Sequence, residues 1–133
     1  MRLPAQPRVL IVDDSIVVRR ILALAVSQMP ELAHAEVQQA ADGADALERL
    51  RHTVFDLVLC DIRMPVVDGY ELLRVARGDL GLTIPIVIIS TMGREQDVQR
   101  GMDAGATAYI LKPLSPHHIK LALRALLDAP PAA

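Results

Sequence analysis

An apolar run ends in a carboxylate in the stretch Val58-Leu59-Cys60-Asp61-Ile62-Arg63-Met64-Pro65. The run begins at Phe55, is interrupted only by Asp56 and reaches Cys60. A run of this length is typical of a buried strand, so the charge that follows it lies at the carboxyl end of the strand and not in the core. Asp61 is therefore a candidate functional residue.

A second apolar run, at residues 9–12, ends in the same way, with Asp13 and Asp14. If the two runs are neighbouring strands of one parallel sheet, all three carboxylates share one rim. Three like charges so close together repel each other strongly in a poorly solvated crevice, which implies a bound cation or partial protonation. A set of oxygen ligands suits Mg²⁺ or Mn²⁺ and argues against zinc.

The composition indicates one domain in a reducing compartment. A chain of 133 residues is of single-domain size, and its single cysteine, Cys60, excludes an internal disulfide. Charges interrupt every apolar run well before about 18 residues, so we expect no membrane span. The first seven residues lack the apolar segment of a secretion signal, and we therefore expect a cytoplasmic protein.

Charge and aromatic content argue against nucleic-acid binding by this chain. Lysine and arginine number 14 against 16 acidic residues, and no basic block is longer than Arg19-Arg20. The aromatic residues are limited to Phe55, Tyr70 and Tyr109, which provide no stacking platform for a single strand.

Hydrophobic periodicity predicts five strands that alternate with five helices. The predicted strands are 8–12, 35–38, 55–60, 84–89 and 109–111, and the predicted helices are 15–28, 44–50, 70–77, 95–104 and one that begins at 116. This alternation predicts βαβ units, a parallel sheet and helices on both faces of it. In such sheets ligands bind outside the carboxyl ends of the strands.

Polar or charged residues of the types that bind ligands or take part in reactions follow four of the five predicted strands. Asp13-Asp14 comes after the first strand, Asp61 after the third, Ser90 after the fourth and Lys112 after the fifth. The sequence therefore predicts one site at that edge of the sheet.

On these residues the chain resembles the receiver domain of bacterial two-component response regulators, the CheY-like family, over nearly its whole length. The resemblance is carried by Val12-Asp13-Asp14-Ser15, Asp61, Met64-Pro65, Asp68-Gly69, Ser90, Gly105-Ala106, Tyr109 and Lys112-Pro113. It implies a flavodoxin-like (βα)5 three-layer sandwich with a parallel five-stranded sheet in the order 2-1-3-4-5. It also implies an N-terminal extension at 1–7, a receiver domain at 8–128 and a tail or truncated linker at 129–133.

The resemblance assigns a role to each residue at the predicted edge. Asp61 would be the phosphoacceptor, a carboxylate nucleophile that takes a phosphoryl group from a sensor histidine kinase or phosphotransfer protein. Asp13, Asp14 and Asp61 would hold Mg²⁺, or Mn²⁺ in its place, together with the backbone carbonyl of Arg63. Lys112 would pair with the phosphoryl oxygens, since phosphoryl transfer depends on positioning and charge neutralisation.

The resemblance also implies a switch. Ser90 and Thr91 both offer a hydroxyl, and Ser90 is assigned because it lies at the family's spacing before Lys112. Tyr109 would move inward when Ser90 is drawn to the phosphoryl group, which would alter the face formed by the last two helices and the strand between them. Downstream protein targets would bind that face, and the bond between Lys112 and Pro113 would be a cis peptide.

Three residues depart from the common pattern and are predicted to tune the site. Arg63 lies two residues after the acceptor, and Met92 lies two residues after the switch hydroxyl. Both positions flank the phosphoryl group in this family, so these side chains are expected to restrict or redirect the attacking water. Thr91 is larger than the usual residue and is expected to narrow access for small donors.

Alternative functions fit the residues less well. A phosphatase with an aspartate nucleophile needs a second aspartate two residues further on, and Asp13 is followed by Asp14 and Ser15. Mononucleotide binding needs a glycine-rich turn that the first strand lacks. A pseudo-receiver, which binds partners without phosphorylation, would have lost at least one of the acidic or lysine positions, and this chain retains all of them.

We therefore expect a switch protein, monomeric or dimerising on phosphorylation, and not an enzyme beyond self-phosphorylation from phosphodonors and slow autodephosphorylation. An excised receiver of a larger regulator, with a DNA-binding or enzymatic output domain, is the alternative.

Overall fold

The computed structural model describes residues 2–112 and 115–129. The strands are β1 Arg8–Val12, β2 Glu36–Ala40, β3 Leu57–Cys60, β4 Ile86–Ser90 and β5 Ala108–Leu111. The helices are α1 Ile16–Ser27, α2 Gly43–His52, α3 Gly69–Arg74, α4 Glu95–Asp103 and α5 Pro116–Asp128. A short 3₁₀ helix lies at Pro30–Leu32, and a π-helical segment, Val75–Asp79, follows α3 directly.

All strand pairs are parallel, and the sheet order is β2-β1-β3-β4-β5. This confirms the predicted flavodoxin-like fold and strand order. Because β1 lies between β2 and β3, the winding direction of the chain reverses at the boundary between β1 and β3. Val12 is level with Cys60 in that pair, so the residues that follow these two strands emerge side by side.

Alternate side chains of the central strands enter two cores, one on each face of the sheet. Val58 and Cys60 pack with residues of α2 and α3, whereas Leu57 and Leu59 pack with residues of α1 and α5. All four residues of β3 and all five of β4 are buried. Burial on both faces explains why these strands are continuous apolar runs in the sequence.

Three helices begin with a side-chain cap. The hydroxyl of Ser15 accepts a hydrogen bond from the N–H of Val18 at 3.3 Å, and Ser115 caps α5 in the same way. The Asp68 carboxylate accepts from the N–H of Glu71 at 2.9 Å. These caps fix where α1, α3 and α5 start, directly after the loops at the carboxyl edge of the sheet.

The predicted bounds were least accurate at strand ends and after α3. β2 extends to Ala40 because that residue pairs with Val12, and β4 begins after Pro85, which has no N–H to donate. The predicted helix 70–77 is α-helical only as far as Arg74, and its last residues belong to the π-helical segment. There the guanidinium of Arg77 donates hydrogen bonds to the carbonyls of Leu82, Ile84 and Gly105, contacts between distant segments that helical periodicity does not encode.

No helix in the described ranges combines the length and the apolar character needed to cross a membrane.

Val66, in the loop between β3 and α3, has a strained backbone. Its φ is 68°, and the N–H of Val67 donates to the carbonyl of Pro65 at 2.8 Å, which closes a γ-turn around it. A positive φ is costly for a β-branched residue, and the side chain is 89% exposed, so burial does not offset the cost.

We expect Val66→Gly to raise the free energy of unfolding by about 1 kcal/mol, because glycine adopts this conformation without strain. Val54→Gly is the matched control, since Val54 is also exposed but its φ is not positive. The control should lower stability through the added freedom of the unfolded chain. Urea denaturation measures the free energy of unfolding of both variants. A loss of stability in Val66→Gly would show that the turn is not strained.

Candidate functional site

Three aspartates converge at the carboxyl edge of the sheet. Asp13 and Asp14 follow β1, and Asp61 follows β3. One carboxylate oxygen from each lies within 4.8 Å of the other two. Asp13 and Asp61 are buried and Asp14 is exposed, so the cluster opens to solvent on the side of Asp14.

Backbone and side-chain hydrogen bonds hold the buried Asp13 in place. Its Oδ1 accepts from the N–H of Ser15 at 2.9 Å, and its Oδ2 accepts from Nζ of Lys112 at 2.9 Å. Its own N–H donates to the carbonyl of Ala40 at 3.1 Å, the last residue of β2. The position of this carboxylate is therefore set by β1, β2 and the residue that follows β5.

Lys112 joins two aspartates from different strands. Its Nζ is 2.9 Å from Oδ2 of Asp13 and 3.4 Å from Oδ2 of Asp61. The Lys112 N–H also donates to the carbonyl of Ser90 at 2.8 Å, which continues the pairing of β5 with β4 past the strand end. The lysine side chain is 14% exposed, so solvent screens these ion pairs weakly.

The electrostatics favour a cation at this edge. Burial raises the pKa of Asp61, and the nearby charge of Asp13 raises it further, while Lys112 opposes both effects. Burial alone would lower the pKa of Lys112, but its hydrogen bond to Asp13 and the charge of Asp61 outweigh it, so that pKa is raised. Three carboxylates face one ammonium, which leaves a local excess of negative charge.

This donor set fits a hard divalent cation. All the candidate ligand atoms are carboxylate oxygens, and Asp61 still carries an unfavourable charge in the presence of Lys112. Mg²⁺ is bound in proteins by one or two carboxylates, with waters and phosphate oxygens completing its shell. The residues present therefore suit such an ion, with Asp14 on the open side.

Ser90 and Tyr109 lie close together beside this cluster. Ser90 is fully buried at the end of β4, and its Oγ accepts from the N–H of Met92 at 3.1 Å. The Tyr109 hydroxyl donates to the carbonyl of Met92 at 2.6 Å. Burial raises the pKa of Tyr109, while a hydrogen bond with Ser90 lowers it. Thr91, the alternative hydroxyl, is exposed on the loop.

Gly101 on α4 makes room for the ring of Tyr109. A Cβ atom at position 101 would lie 3.0 Å and 3.1 Å from two ring carbons. This glycine is buried in a helix where alanine would be preferred for helix formation. Its use here is therefore explained by the close approach of the aromatic ring.

Arg63 and Met92 line one crevice, together with Asp14. Arg63 is exposed and Met92 is half-buried, and the crevice has a volume of about 480 Å³. The prediction that these two residues flank the acceptor is compatible with this placement. Pro113 lies outside the described residues, so the cis Lys112–Pro113 bond stays a prediction.

Two further interactions at this edge have no signal in the sequence. Arg19 donates from Nη1 to the carbonyl of Asp13 at 2.7 Å and from Nε to Gln39, so it anchors the turn after β1. The guanidinium of Arg100 on α4 lies 3.9 Å above the ring centre of Tyr70 on α3. Both contacts are made by arginine side chains, which sequence patterning predicts to be solvated.

Comparisons with known proteins agree with this architecture. The family model described as the response regulator receiver domain matches residues 9–124. The gliding motility regulatory protein of Myxococcus xanthus is 38% identical over 106 residues, which are 79% of this chain and 13% of that protein. The transcriptional regulatory protein ResD of Bacillus subtilis is 32% identical over 122 residues, 92% of this chain and 48% of ResD.

Among solved structures, the chemotaxis response regulator CheY4 of Vibrio cholerae superposes with a TM-score of 0.80 at 31% identity, covering 91% of this chain and 98% of that one. This chain spans about half the length of ResD and a small fraction of the gliding motility protein. The match to the family model covers most of the chain, and the sheet order and the acidic cluster agree with it. The chain belongs to the response regulator receiver domains of two-component signalling systems.

Proposed function

We propose that this receiver domain is a phosphorylation switch in which Asp61 accepts a phosphoryl group from a phosphohistidine. The observation that carries the proposal is the position of Lys112, 2.9 Å from Asp13 and 3.4 Å from Asp61. An ammonium group held over a carboxylate at an open edge is well placed to neutralise phosphoryl oxygens. Asp61 is also held by a hydrogen bond to its Oδ1 from the N–H of Ile62 at 2.8 Å, which leaves Oδ2 on the lysine side.

Mg²⁺ is the proposed cofactor, with Mn²⁺ as an alternative. Asp13, Asp14 and Asp61 would hold it, together with the backbone carbonyl of Arg63. When bound, the ion would neutralise charge that the carboxylates and the incoming phosphoryl group bring together. Asp13 contributes by keeping Lys112 in position, and Asp14 contributes by offering a carboxylate on the solvent side.

The proposed response involves Ser90 and Tyr109. Once phosphorylation of Asp61 draws the Ser90 hydroxyl toward the phosphoryl group, Tyr109 would lose a hydrogen-bond partner and move inward. This change would shift the population of conformations of the face formed by α4, β5 and α5. We propose that this face binds the downstream protein. A monomer, or a dimer formed on phosphorylation, is compatible with this scheme.

The other elements of the proposal follow from the family. The phosphoryl donor would be a sensor histidine kinase or phosphotransfer protein, and the protein would work in the cytoplasm. It would act as a switch without turnover of an external substrate, apart from self-phosphorylation and slow autodephosphorylation. Because the chain matches only part of its relatives, an output domain, DNA-binding or enzymatic, would belong to a larger regulator.

Phosphorylation in vitro tests the proposal. The protein is incubated with MgCl₂ and either acetyl phosphate or phosphoramidate, and its intact mass is measured. We expect one phosphoryl adduct in the wild type and none in Asp61→Asn, in which the nucleophile is replaced by an amide. An adduct that persists in Asp61→Asn, or its absence from the wild type with every donor, would overturn the assignment.

The two flanking residues are expected to set the lifetime of the aspartyl phosphate. Arg63→Ala and Met92→Ala should each raise the autodephosphorylation rate about three- to ten-fold, because a smaller side chain opens the crevice to water. The rate is measured by mass spectrometry after the donor is removed. Arg51→Ala serves as a control at the opposite edge of the sheet, where Arg51 makes one weak contact with Glu48 at 3.8 Å. Unchanged rates in both variants would exclude this role.

A further inference from the structure

Arg19, near the start of α1, is bound to the turn between β1 and α1. Its Nη1 donates to the carbonyl of Asp13 at 2.7 Å, and its Nε donates to Oε1 of Gln39 at 3.1 Å. A helical side chain extends back toward the N-terminus of its helix, so Arg19 lies over the turn that carries Asp13 and Asp14. A cation near the N-terminus of a helix opposes the helix dipole, so helix formation does not account for an arginine at this position.

Both backbone groups of Asp13 are tied to the end of β2. The Asp13 N–H donates to the carbonyl of Ala40 at 3.1 Å, and the Asp13 carbonyl is linked to the side chain of Gln39 through Arg19. Gln39 and Ala40 are the last two residues of β2. Because the peptide bond is planar, fixing the Asp13 carbonyl also fixes the N–H of Asp14. It thereby limits the direction in which the Asp14 side chain leaves the backbone.

Asp14 depends on this backbone more than the other two aspartates do. The carboxylates of Asp13 and Asp61 are each held by a backbone N–H and by Lys112. Within residues 2–112 and 115–129, no hydrogen bond or ion pair holds the exposed carboxylate of Asp14. One of its oxygens still lies within 4.8 Å of an oxygen from each of the others. The backbone of the turn is therefore what places it.

We propose that Arg19 is a positioning residue for the metal site, which orients the peptide between Asp13 and Asp14 so that the Asp14 carboxylate faces the other two. Gln39 supports this role by holding Nε of the guanidinium. The inference rests on the proposed Mg²⁺ site. It deepens that proposal by naming a residue that sets the affinity of the site without being a ligand.

The charge of Arg19 by itself predicts the opposite effect. Arg19 carries a positive charge beside the acidic cluster, and among the described residues no carboxylate forms an ion pair with it. A cation at this edge repels Mg²⁺, so removing Arg19 would strengthen metal binding if the guanidinium acted only through its charge. Weaker binding in a variant without the guanidinium would therefore identify an effect on the placement of the ligands.

Mg²⁺ affinity in purified variants tests the role of Arg19. The dissociation constant is obtained from the rise in melting temperature as MgCl₂ is added, with NaCl at equal ionic strength as the reference. We expect Arg19→Met to raise the dissociation constant about ten-fold, since Arg19 orients a metal ligand. A purely structural role would lower the melting temperature without Mg²⁺ and leave the Mg²⁺-dependent rise unchanged.

Two further variants divide the contribution of Arg19 between its two hydrogen bonds. Gln39→Met leaves the bond to the Asp13 carbonyl and should raise the dissociation constant only about two-fold. Arg19→Lys keeps the charge and a donor for that carbonyl but loses the bond to Gln39. Its dissociation constant should lie between those of the wild type and Arg19→Met.

Arg20→Met is the matched control, since it removes the same charge from the adjacent side chain, which is exposed. It should leave the dissociation constant within about two-fold of the wild-type value. An unchanged or smaller dissociation constant in Arg19→Met, or an equal increase in Arg20→Met, would overturn the positioning role while leaving the metal site itself. If MgCl₂ raises the melting temperature of the wild type no more than NaCl does, both the proposed metal site and the role of Arg19 fail.

Discussion

Gly69→Ala is expected to lower the free energy of unfolding by about 3 kcal/mol, because the backbone of the acceptor loop leaves no space for a methyl group. A Cβ atom at this position would lie 2.4 Å from the carbonyl oxygen of Asp61 and 2.8 Å from Cα of Ile62. The Gly69 N–H donates to the carbonyl of Ile62 at 2.8 Å, so the loop cannot open without losing that hydrogen bond. Either β3 or the start of α3 must move.

The displaced backbone is that of the acceptor itself, so the folded fraction of Gly69→Ala should also take up phosphate from acetyl phosphate more slowly. Gly78→Ala is the matched control, since nothing lies within 4 Å of a Cβ there and its φ is not positive. Alanine at position 78 should stabilise the protein by about 0.5 kcal/mol. Urea denaturation distinguishes the two, and equal stabilities would mean that the loop adjusts freely around position 69.

Most of the fold could be predicted from the sequence because each strand has its own local signal. The central strands are continuous apolar runs, since they are buried on both faces, and the predicted start of the last helix at Pro116 is confirmed. The bounds of β2 and β4 were less accurate, because pairing between strands sets them and not local composition. The π-helical segment at Val75–Asp79 has no sequence signal at all.

The acidic cluster was predictable because each aspartate follows a strand, and the parallel order brings those ends together. The stacking of Arg100 on Tyr70 was not, since it joins two different helices, and neither was the bond from Arg19 to the Asp13 carbonyl, for which helical periodicity contains no signal. Gly101 illustrates a third case. A glycine inside a helix is unfavourable for helix formation, and the sequence alone shows no reason for it, whereas the ring of Tyr109 shows that the missing side chain makes room for packing.

Lys112→Met is the second substitution with a large expected effect. Methionine retains most of the apolar stem but leaves Asp13 and Asp61, which are 1% and 6% exposed, without their shared cation. Breaking a buried ion pair from one side leaves an uncompensated charge, and we expect the free energy of unfolding at pH 7 to fall by about 3 kcal/mol. Lys120→Met, half-buried on α5, is the control and should change stability by less than about 0.5 kcal/mol.

The loss in Lys112→Met should depend on pH in a defined direction. In the folded protein the pKa of Asp61 lies above the ordinary aspartate value of 3.8, and without Lys112 it should rise further. For an acid whose folded pKa is raised, folding is favoured while the group is protonated, and that advantage is lost as pH rises through the folded pKa. The deficit of the variant should therefore shrink in acid and grow toward neutral pH.

The titration of Lys112 sets the upper end of the pH range in which the variant is less stable than the wild type. Its pKa is raised above 10.5 in the folded protein, so its stabilising contribution is complete below that value and is lost only as pH rises through the folded pKa. The stability deficit of Lys112→Met should thus grow from pH 4 until Asp61 of the variant has ionised, and should then stay level up to pH 9. A deficit that does not change anywhere in this range would mean that Lys112 does not compensate the charge of Asp61.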